Sequence, residues 1–272
     1  MKNKYGPSLK AMAHTYFMLL FFVSACSTFT IPTRGKRSGS IPIKLYREIS
    51  SQDFADHLAS LKEPFITTPG VRVFYLGESP DKYLKNLLQE IISKNEIFFK
   101  DLRSASVTII DTSTPLHFSL PRGVIFLSRG LVAKYIKHES MLVSILSYEL
   151  VRSEKLLYPK EMFIPVGYVA TERMLSLSRL NLGEKVEVHK WAYYLTIRSG
   201  YDGEYYLSWL QTQNRNTADF LLQVGDPNIM TREESLFKAF LIKNSQQEIF
   251  RARKTSSKNF YTLINKIRDG II

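Results

Sequence analysis

The sequence predicts an α+β fold that is mainly helical and carries a small mixed β-sheet. Short β-rich segments cluster before Gly130, whereas the chain after Gly130 repeats apolar residues at helical spacing. Strands that come first and helices that come later are typical of α+β domains, in which the two kinds of element segregate. The 272 residues are 44% hydrophobic and 23% charged, which is a globular composition with enough apolar side chains for one substantial core.

Local patterns predict the elements that precede Gly130. Residues 51–61 place apolar side chains on one face, and residues 81–94 repeat apolar pairs at helical spacing, so both segments predict helices. Alternating β-prone residues predict strands over 71–76 and 106–111. Residues 116–128 predict two further short strands around a turn at Pro121, Arg122 and Gly123.

The helices predicted after Gly130 cover residues 139–155, 184–198, 202–213, 233–243 and 260–268. The helix over 139–155 is apolar nearly all the way round, which is typical of a helix inside a domain. It nevertheless carries Glu149 and Arg152. Because ionised groups in such a helix need partners or a function, it is the first candidate for a functional site.

The N-terminus predicts export and lipidation. Basic residues precede the apolar run YFMLLFFV at 16–23, which is far shorter than the ~20 residues of a membrane-spanning helix. The run leads into Val23-Ser24-Ala25-Cys26, which resembles the lipobox of bacterial lipoproteins, where cleavage before the cysteine accompanies its diacylglyceryl modification. Cys26 is the single cysteine, so it has no partner for an internal disulfide, and acylation consumes the thiol. The alternative is an incidental cysteine inside an ordinary signal peptide.

The lipobox divides the chain into three predicted parts. Residues 1–25 are a lipoprotein signal peptide, residues 26–44 a lipidated flexible tether, and residues 45–272 a folded domain. The tether is rich in Ser, Thr, Gly, Pro and basic residues and shows no helical period. We expect the mature chain to be lipid-anchored in the bacterial cell envelope, at the outer membrane and facing the periplasm, since Ser27 follows the cysteine.

The net charge of +12 is spread along the chain. Such a surface suits anionic lipid head groups or other polyanions. No nucleic-acid-binding motif accompanies the charge, so nucleic acid is not an expected partner.

The segment between the second predicted strand and the buried helix resembles a known family. In the zinc metallopeptidase family of HtpX, BepA and the CAAX prenyl protease, a strand is followed by a segment close to N-A-F-x-L-P-G-G-x-I-F-V-x-x-G-L-L. The matching residues here are Phe118, Leu120, Pro121, Gly123, Ile125, Phe126, Gly130 and Leu131. The resemblance spans about residues 71–236 and implies a metallopeptidase-like domain with the sheet on one side of a cleft.

The family's next motif, H-E-x-x-H, falls on the buried helix with its histidines replaced. In the motif, two histidines at i and i+4 bind zinc and the glutamate acts as general base on the metal-bound water. Here Glu149 takes the general-base position, while Tyr148 and Arg152 take the histidine positions. A phenol, with a pKa of ~10, is a poor zinc ligand, and a guanidinium has no lone pair to donate.

The remaining family motifs are replaced in the same way. The later E-x-x-x-D, which supplies the third ligand, falls on Lys185 and His189 when counted back from the helix end at Gly200. A one-residue shift would offer Glu184 as the ligand instead, with Glu187 in the same turn. The family's H-P pair falls on Asp226 and Pro227.

Two other interpretations of these residues do not require catalysis at the family's zinc site. Glu149 is expected to form a buried ion pair with Arg152 or with Lys185, in place of a metal. Separately, His117, His138 and His189 could build a relocated metal site, although scattered histidines are more often surface or satisfied core residues.

We therefore expect a catalytically inactive pseudopeptidase with no cofactor, which binds or scaffolds envelope proteins. The resemblance implies that the strand region Phe118 to Leu127 lies at the edge of the cleft, where extended or unfolded segments of a partner add by β-pairing. The alternative is a divergent zinc-dependent endopeptidase in envelope quality control. A third class is a lipoprotein that binds a wall or membrane polyanion through its basic surface.

Overall fold

The computed structural model describes residues 40–42, 50–100, 102, 104–159, 163–244 and 252–269, all within one unit that spans Ser38–Ile272. This unit is α+β and mainly helical, as predicted, with a small mixed sheet. The signal peptide and Cys26 lie outside the described residues. So does the tether, apart from β1 (Ser40–Pro42), which pairs antiparallel with β5 (Phe163–Pro165). Among the described residues, no helix is long and apolar enough to cross a membrane.

The main sheet has three strands in the order β2, β4, β3. β2 (Ser106–Ile110) runs parallel to the central β4 (Val124–Ser128), and β3 (His117–Leu120) pairs with β4 in an antiparallel hairpin. Arg122 and Gly123, with φ of 64° and 69°, make the predicted turn of this hairpin. Both hairpin strands are therefore confirmed.

The strand predicted over 71–76 is wrong. Only Val73 forms a bridge, to Ile110 at the outer edge of β2. Tyr75 is 82% exposed, so the alternation of β-prone residues does not correspond to one buried face here. Gly77, at a φ of 84°, then directs the chain into the next helix.

Helices surround the sheet, and their bounds follow in chain order. They are α1 (Ser51–Ser60), α2 (Lys62–Ile66), α3 (Glu78–Lys94), α4 (Arg129–Lys134), α5 (Glu139–Glu154), α6 (Thr171–Leu177), α7 (Leu182–Arg198), α8 (Glu204–Arg215), α9 (Thr217–Val224), α10 (Pro227–Lys243) and α11 (Lys258–Arg268). The longer helices were predicted. α2, α4, α6 and α9 were not, because helices of five to eight residues contain too few turns to show a period.

The predicted buried helix is α5, and it forms the centre of the domain. Every residue from Glu139 to Ser153 is buried, against β3 on one side and α7 and α8 on the others. His138 caps its start by accepting a hydrogen bond from the Ser140 N–H. The first-turn acid Glu139 accepts hydrogen bonds from the Tyr83 hydroxyl and from both the N–H and the hydroxyl of Ser257. These partners fix the orientation of α5, which carries the candidate site near its other end.

Two apolar clusters hold the elements together. The larger one joins α3, α5, α7, α8, α10 and α11. The smaller one lies between α1, α2, α6 and the hairpin, where the rings of Phe65, Phe118 and Phe126 pack with centroids 4.7–5.5 Å apart. The hairpin therefore has apolar contacts with both halves of the domain.

Candidate functional site

Helices α5, α7, α8, α9 and α10 converge with β3 on a small cavity. Its volume is about 30 Å³, which is room for a water molecule or a small ion and not for a peptide. The residues that line it are His117, Tyr148, Arg152, Ser178, Arg179, Lys185, His189, Trp209, Gln213, Gln223, Val224 and Glu233. Tyr148, Arg152 and Lys185, which the sequence resemblance aligned with zinc ligands, all line this cavity.

Glu149 lies beside this cavity with no solvent exposure and with both carboxylate oxygens occupied. Its Oε2 accepts a hydrogen bond from Arg152 Nη1 at 2.9 Å, and its Oε1 lies 2.5 Å from His117 Nδ1. Burial opposes ionisation of Glu149, but Arg152 and the hydrogen bond from His117 outweigh burial and lower its pKa. The predicted ion pair with Arg152 is confirmed, and Glu149 is a bound counter-ion rather than a base that faces water.

Arg152 is only partly satisfied by this arrangement. It is 1% exposed, and its Nε and Nη2 have no hydrogen-bond partner within the described part of the chain. The guanidinium lies 5.6 Å from the centroid of the Tyr158 ring, which provides a cation–π contact. Burial lowers the pKa of Arg152, but Glu149 outweighs it and raises that pKa above its usual range. The residue is therefore a permanent buried cation held by one carboxylate.

The second ion pair in the site belongs to Lys185, which contacts Glu233 and not Glu149. Lys185 Nζ lies 2.5 Å from Glu233 Oε1, while the other oxygen of Glu233 is 3.5 Å from His189 Nε2. His189 Nδ1 is 3.0 Å from the hydroxyl of Tyr206, so a connected polar chain crosses the site from α7 to α10 and α8. Burial lowers the pKa of His189 and outweighs the opposing effect of Glu233.

These residues do not fit a zinc ion. Burial raises the pKa of the Tyr148 phenol well above its usual range, so Tyr148 stays protonated. Arg152 and Lys185 are cations already paired with carboxylates. In the part of the chain that the structure describes, no group of three or more His, Cys, Asp or Glu side chains is placed to hold a metal ion.

Most of the other candidate residues lie away from the cavity. Glu184 is exposed and forms a capping box with Asn181 at the start of α7, and the exposed Glu187 pairs with Lys190. Asp226 is the exposed N-cap of α10, where it accepts a hydrogen bond from the Asn228 N–H. Of the three histidines, His138 stacks on Tyr205 with centroids 3.9 Å apart, whereas His117 and His189 reach the cavity.

The predicted groove edge, Phe118 to Leu127, contains one edge strand and one central strand. β4 is the central strand, paired on both sides, so within the predicted region only β3 has an open edge. The backbone of His117 is turned away from β4 towards Gln223 of α9. Its N–H donates to Gln223 Oε1 at 2.9 Å, and its carbonyl accepts from Gln223 Nε2 at 2.7 Å. The side-chain amide of Gln223 thus takes the place of the peptide group of an additional strand.

Sequence reasoning missed Gln223, Glu233 and Trp209 as parts of this site. They come from helices 70 or more residues beyond the hairpin, and none belongs to the motif that located Glu149. Glu233 carried one usable signal in the sequence, because it lies at helical spacing from the apolar Met230 and Phe237. Gln223 carried none, since its role depends on where α9 crosses β3.

Comparison with protein-family models and curated proteins adds no support to the resemblance, which depends on the quoted residues alone. The sequence matches no protein-family model. No curated protein is significantly similar to it.

A double-mutant cycle tests the buried pair. Arg152→Met leaves the Glu149 carboxylate without its cation and should lower the free energy of unfolding by about 3–5 kcal/mol. The double variant Arg152→Met, Glu149→Gln should recover most of that loss, because Gln is neutral and still accepts a hydrogen bond from His117. Urea denaturation measures each variant. Lys85→Met, which removes an exposed i,i+4 partner of Asp81, is the control and should change little. A double variant as unstable as the single one would contradict the pairing.

The buried His189 predicts weaker stability on mild acidification. Its folded-state pKa lies below the ordinary value of 6.5, so the unfolded chain takes up the proton first as the pH falls. The free energy of unfolding should therefore fall as the pH drops through 6.5, by about 1 kcal/mol per pH unit or less. His189→Gln should flatten this slope. An unchanged slope in His189→Gln, followed by urea denaturation at several pH values, would rule out this source.

Proposed function

We propose that the protein is a lipid-anchored, catalytically inactive metallopeptidase-like protein that binds extended segments of envelope proteins. The observation that carries this proposal is the convergence of Tyr148, Arg152 and Lys185 on one cavity, as a phenol and two ion-paired cations. Tyr148 and Arg152 share one face of α5 because they are four residues apart, so the informative contact is the one that brings Lys185 of α7 to the same cavity, as the motif predicts. Their chemistry replaces a metal by internal salt bridges.

The loss of catalysis follows from the surroundings of Glu149. A general base must reach a water molecule with a free carboxylate oxygen. Here one oxygen is bound by Arg152 and the other by His117, and the side chain has no solvent exposure. The same contacts stabilise the hairpin against α5, so Glu149 serves the fold.

Binding of extended segments is supported by the contact between β3 and Gln223. An amide that donates to the carbonyl and accepts from the N–H of one residue reproduces the pairing of a strand with a sheet edge. The backbone of His117 is therefore positioned to pair with another chain when Gln223 withdraws. α9, which carries Gln223, is short, with only Phe220 and Val224 buried.

Metal analysis separates this proposal from a divergent zinc endopeptidase. We expect the purified chain to hold zinc far below one ion per chain and to leave an unfolded protein substrate uncleaved. Glu149→Gln and the control Glu184→Gln should behave alike in both assays, because neither residue would contribute to catalysis. Stoichiometric zinc, with proteolysis lost in Glu149→Gln alone, would establish the peptidase instead.

Substitution of Gln223 tests the binding edge. Gln223→Ala frees the N–H and carbonyl of His117, so an extended peptide no longer competes with two internal hydrogen bonds of about 0.5–1.5 kcal/mol each. Affinity for an unfolded polypeptide should rise about tenfold, as measured by fluorescence anisotropy.

Gln213→Ala is the matched control, because Gln213 lines the same cavity from α8. Binding that is unchanged in both variants and that falls steeply with salt would point to a polyanion-binding lipoprotein. Weaker binding in Gln223→Ala would contradict the edge.

A further inference from the structure

A second surface, distant in sequence from the sheet edge, combines apolar and cationic side chains. It is a groove of about 510 Å³ between the loop after α3, the end of α5 and one side of α7. The residues that line it are Asn95, Ile97, Phe98, Lys100, Glu154, Lys155, Trp191, Tyr194, Leu195 and Arg198. We call this surface the aromatic groove.

The aromatic groove exposes large apolar side chains that the core does not cover. Ile97 is 80% exposed and Trp191 is 47% exposed. The ring of Phe98 joins them, with its centroid 5.4 Å from that of Trp191. Single exposed apolar residues are ordinary, but a contiguous group in a groove indicates a surface that contacts a membrane or a protein partner.

Cations surround this apolar group. Lys100, Lys155 and Arg198 line the groove and are exposed, whereas Glu154 is the acid in the lining. Lys155 Nζ lies 4.8 Å from the centroid of the Phe98 ring, so the charge and the aromatic face are in contact. Trp and Tyr beside Lys and Arg are the side chains that favour the interface of a bilayer, where rings enter the head-group layer and cations meet lipid phosphates.

We propose that the aromatic groove docks on the anionic surface of the membrane that carries the lipid anchor. This inference rests on the proposed function only for that anchor. From Cys26 to Ser40 the chain has 14 residues, which reach at most about 50 Å when fully extended, so an anchored domain stays close to the bilayer. This raises the effective concentration of the groove at the lipid surface and lets contacts that are weak by themselves decide the orientation.

Docking of the groove orients the binding edge. Arg198 ends α7, and Lys185 lies 13 residues earlier at the cavity, about 20 Å away along the helix axis. The residues that line the cavity do not line the groove, so a bilayer that covers the groove leaves the cavity residues outside the contact. An extended segment of another envelope protein can then reach β3 while the groove is docked.

A thiol label at Ile97 tests docking in the full lipidated chain. Because acylation consumes Cys26, Ile97→Cys provides a single reactive thiol for an environment-sensitive fluorophore. In vesicles that contain phosphatidylglycerol, the label should shift to the blue and be quenched by brominated acyl chains. The control Tyr75→Cys, at a site with the same exposure outside the groove, should show neither effect.

The contribution of charge is measured in a series of vesicles with increasing phosphatidylglycerol. Lys155→Gln and Arg198→Gln should each lower the docked-to-undocked ratio about fivefold, since a cation near an anionic surface contributes about 1 kcal/mol. Lys82→Gln, on the exposed side of α3, should leave the ratio unchanged.

The outcomes distinguish the groove from the anchor. An Ile97 label that remains in water on anionic vesicles, in a chain that floats with them, overturns the docking proposal. The same result is expected if the groove binds a soluble protein. A second labelled thiol, at Cys26, would show instead that the chain is not acylated, which is a failure of the proposed function.

Discussion

The rest of the site depends on the buried contact of Glu149 with Arg152 and His117. It joins two turns of α5 to each other and joins α5 to β3, and the carboxylate has no solvent exposure. A buried carboxyl group stays ionised only when a cation or hydrogen-bond donors offset its burial, so the hairpin and the helix have to meet in one register.

The second pair, Lys185 with Glu233, performs the corresponding task between α7 and α10. The two pairs surround one small cavity and place a cation on each of two helices that would contribute ligands to a metal. A site of this kind repels a divalent cation and holds the helices together without one. The surfaces that we propose for binding lie outside this cavity, at the sheet edge and in the aromatic groove.

Much of the fold was predictable, and the errors have identifiable causes. The buried α5, the hairpin and the longer amphipathic helices follow from apolar periodicity. α10 begins at Pro227, six residues before its predicted start, because Asp226 caps the helix and proline occupies its first turn. The segment 71–76 alternates like a strand but pairs at one residue only, since pairing depends on what lies beside it.

The sequence by itself determined which residues are candidates: Glu149 in an apolar helix, with Tyr148, Arg152 and Lys185 at the positions where a metallopeptidase would bind zinc. It also limited the partner of Glu149 to Arg152 or Lys185. Only the tertiary structure decided that choice, because Lys185 meets Glu233 from a helix 48 residues further along the chain. The contact of Gln223 with the backbone of β3 and the contact of Trp191 with Phe98 were likewise visible only in the tertiary structure. Contacts between distant segments depend on how the helices cross, and no local pattern encodes a crossing.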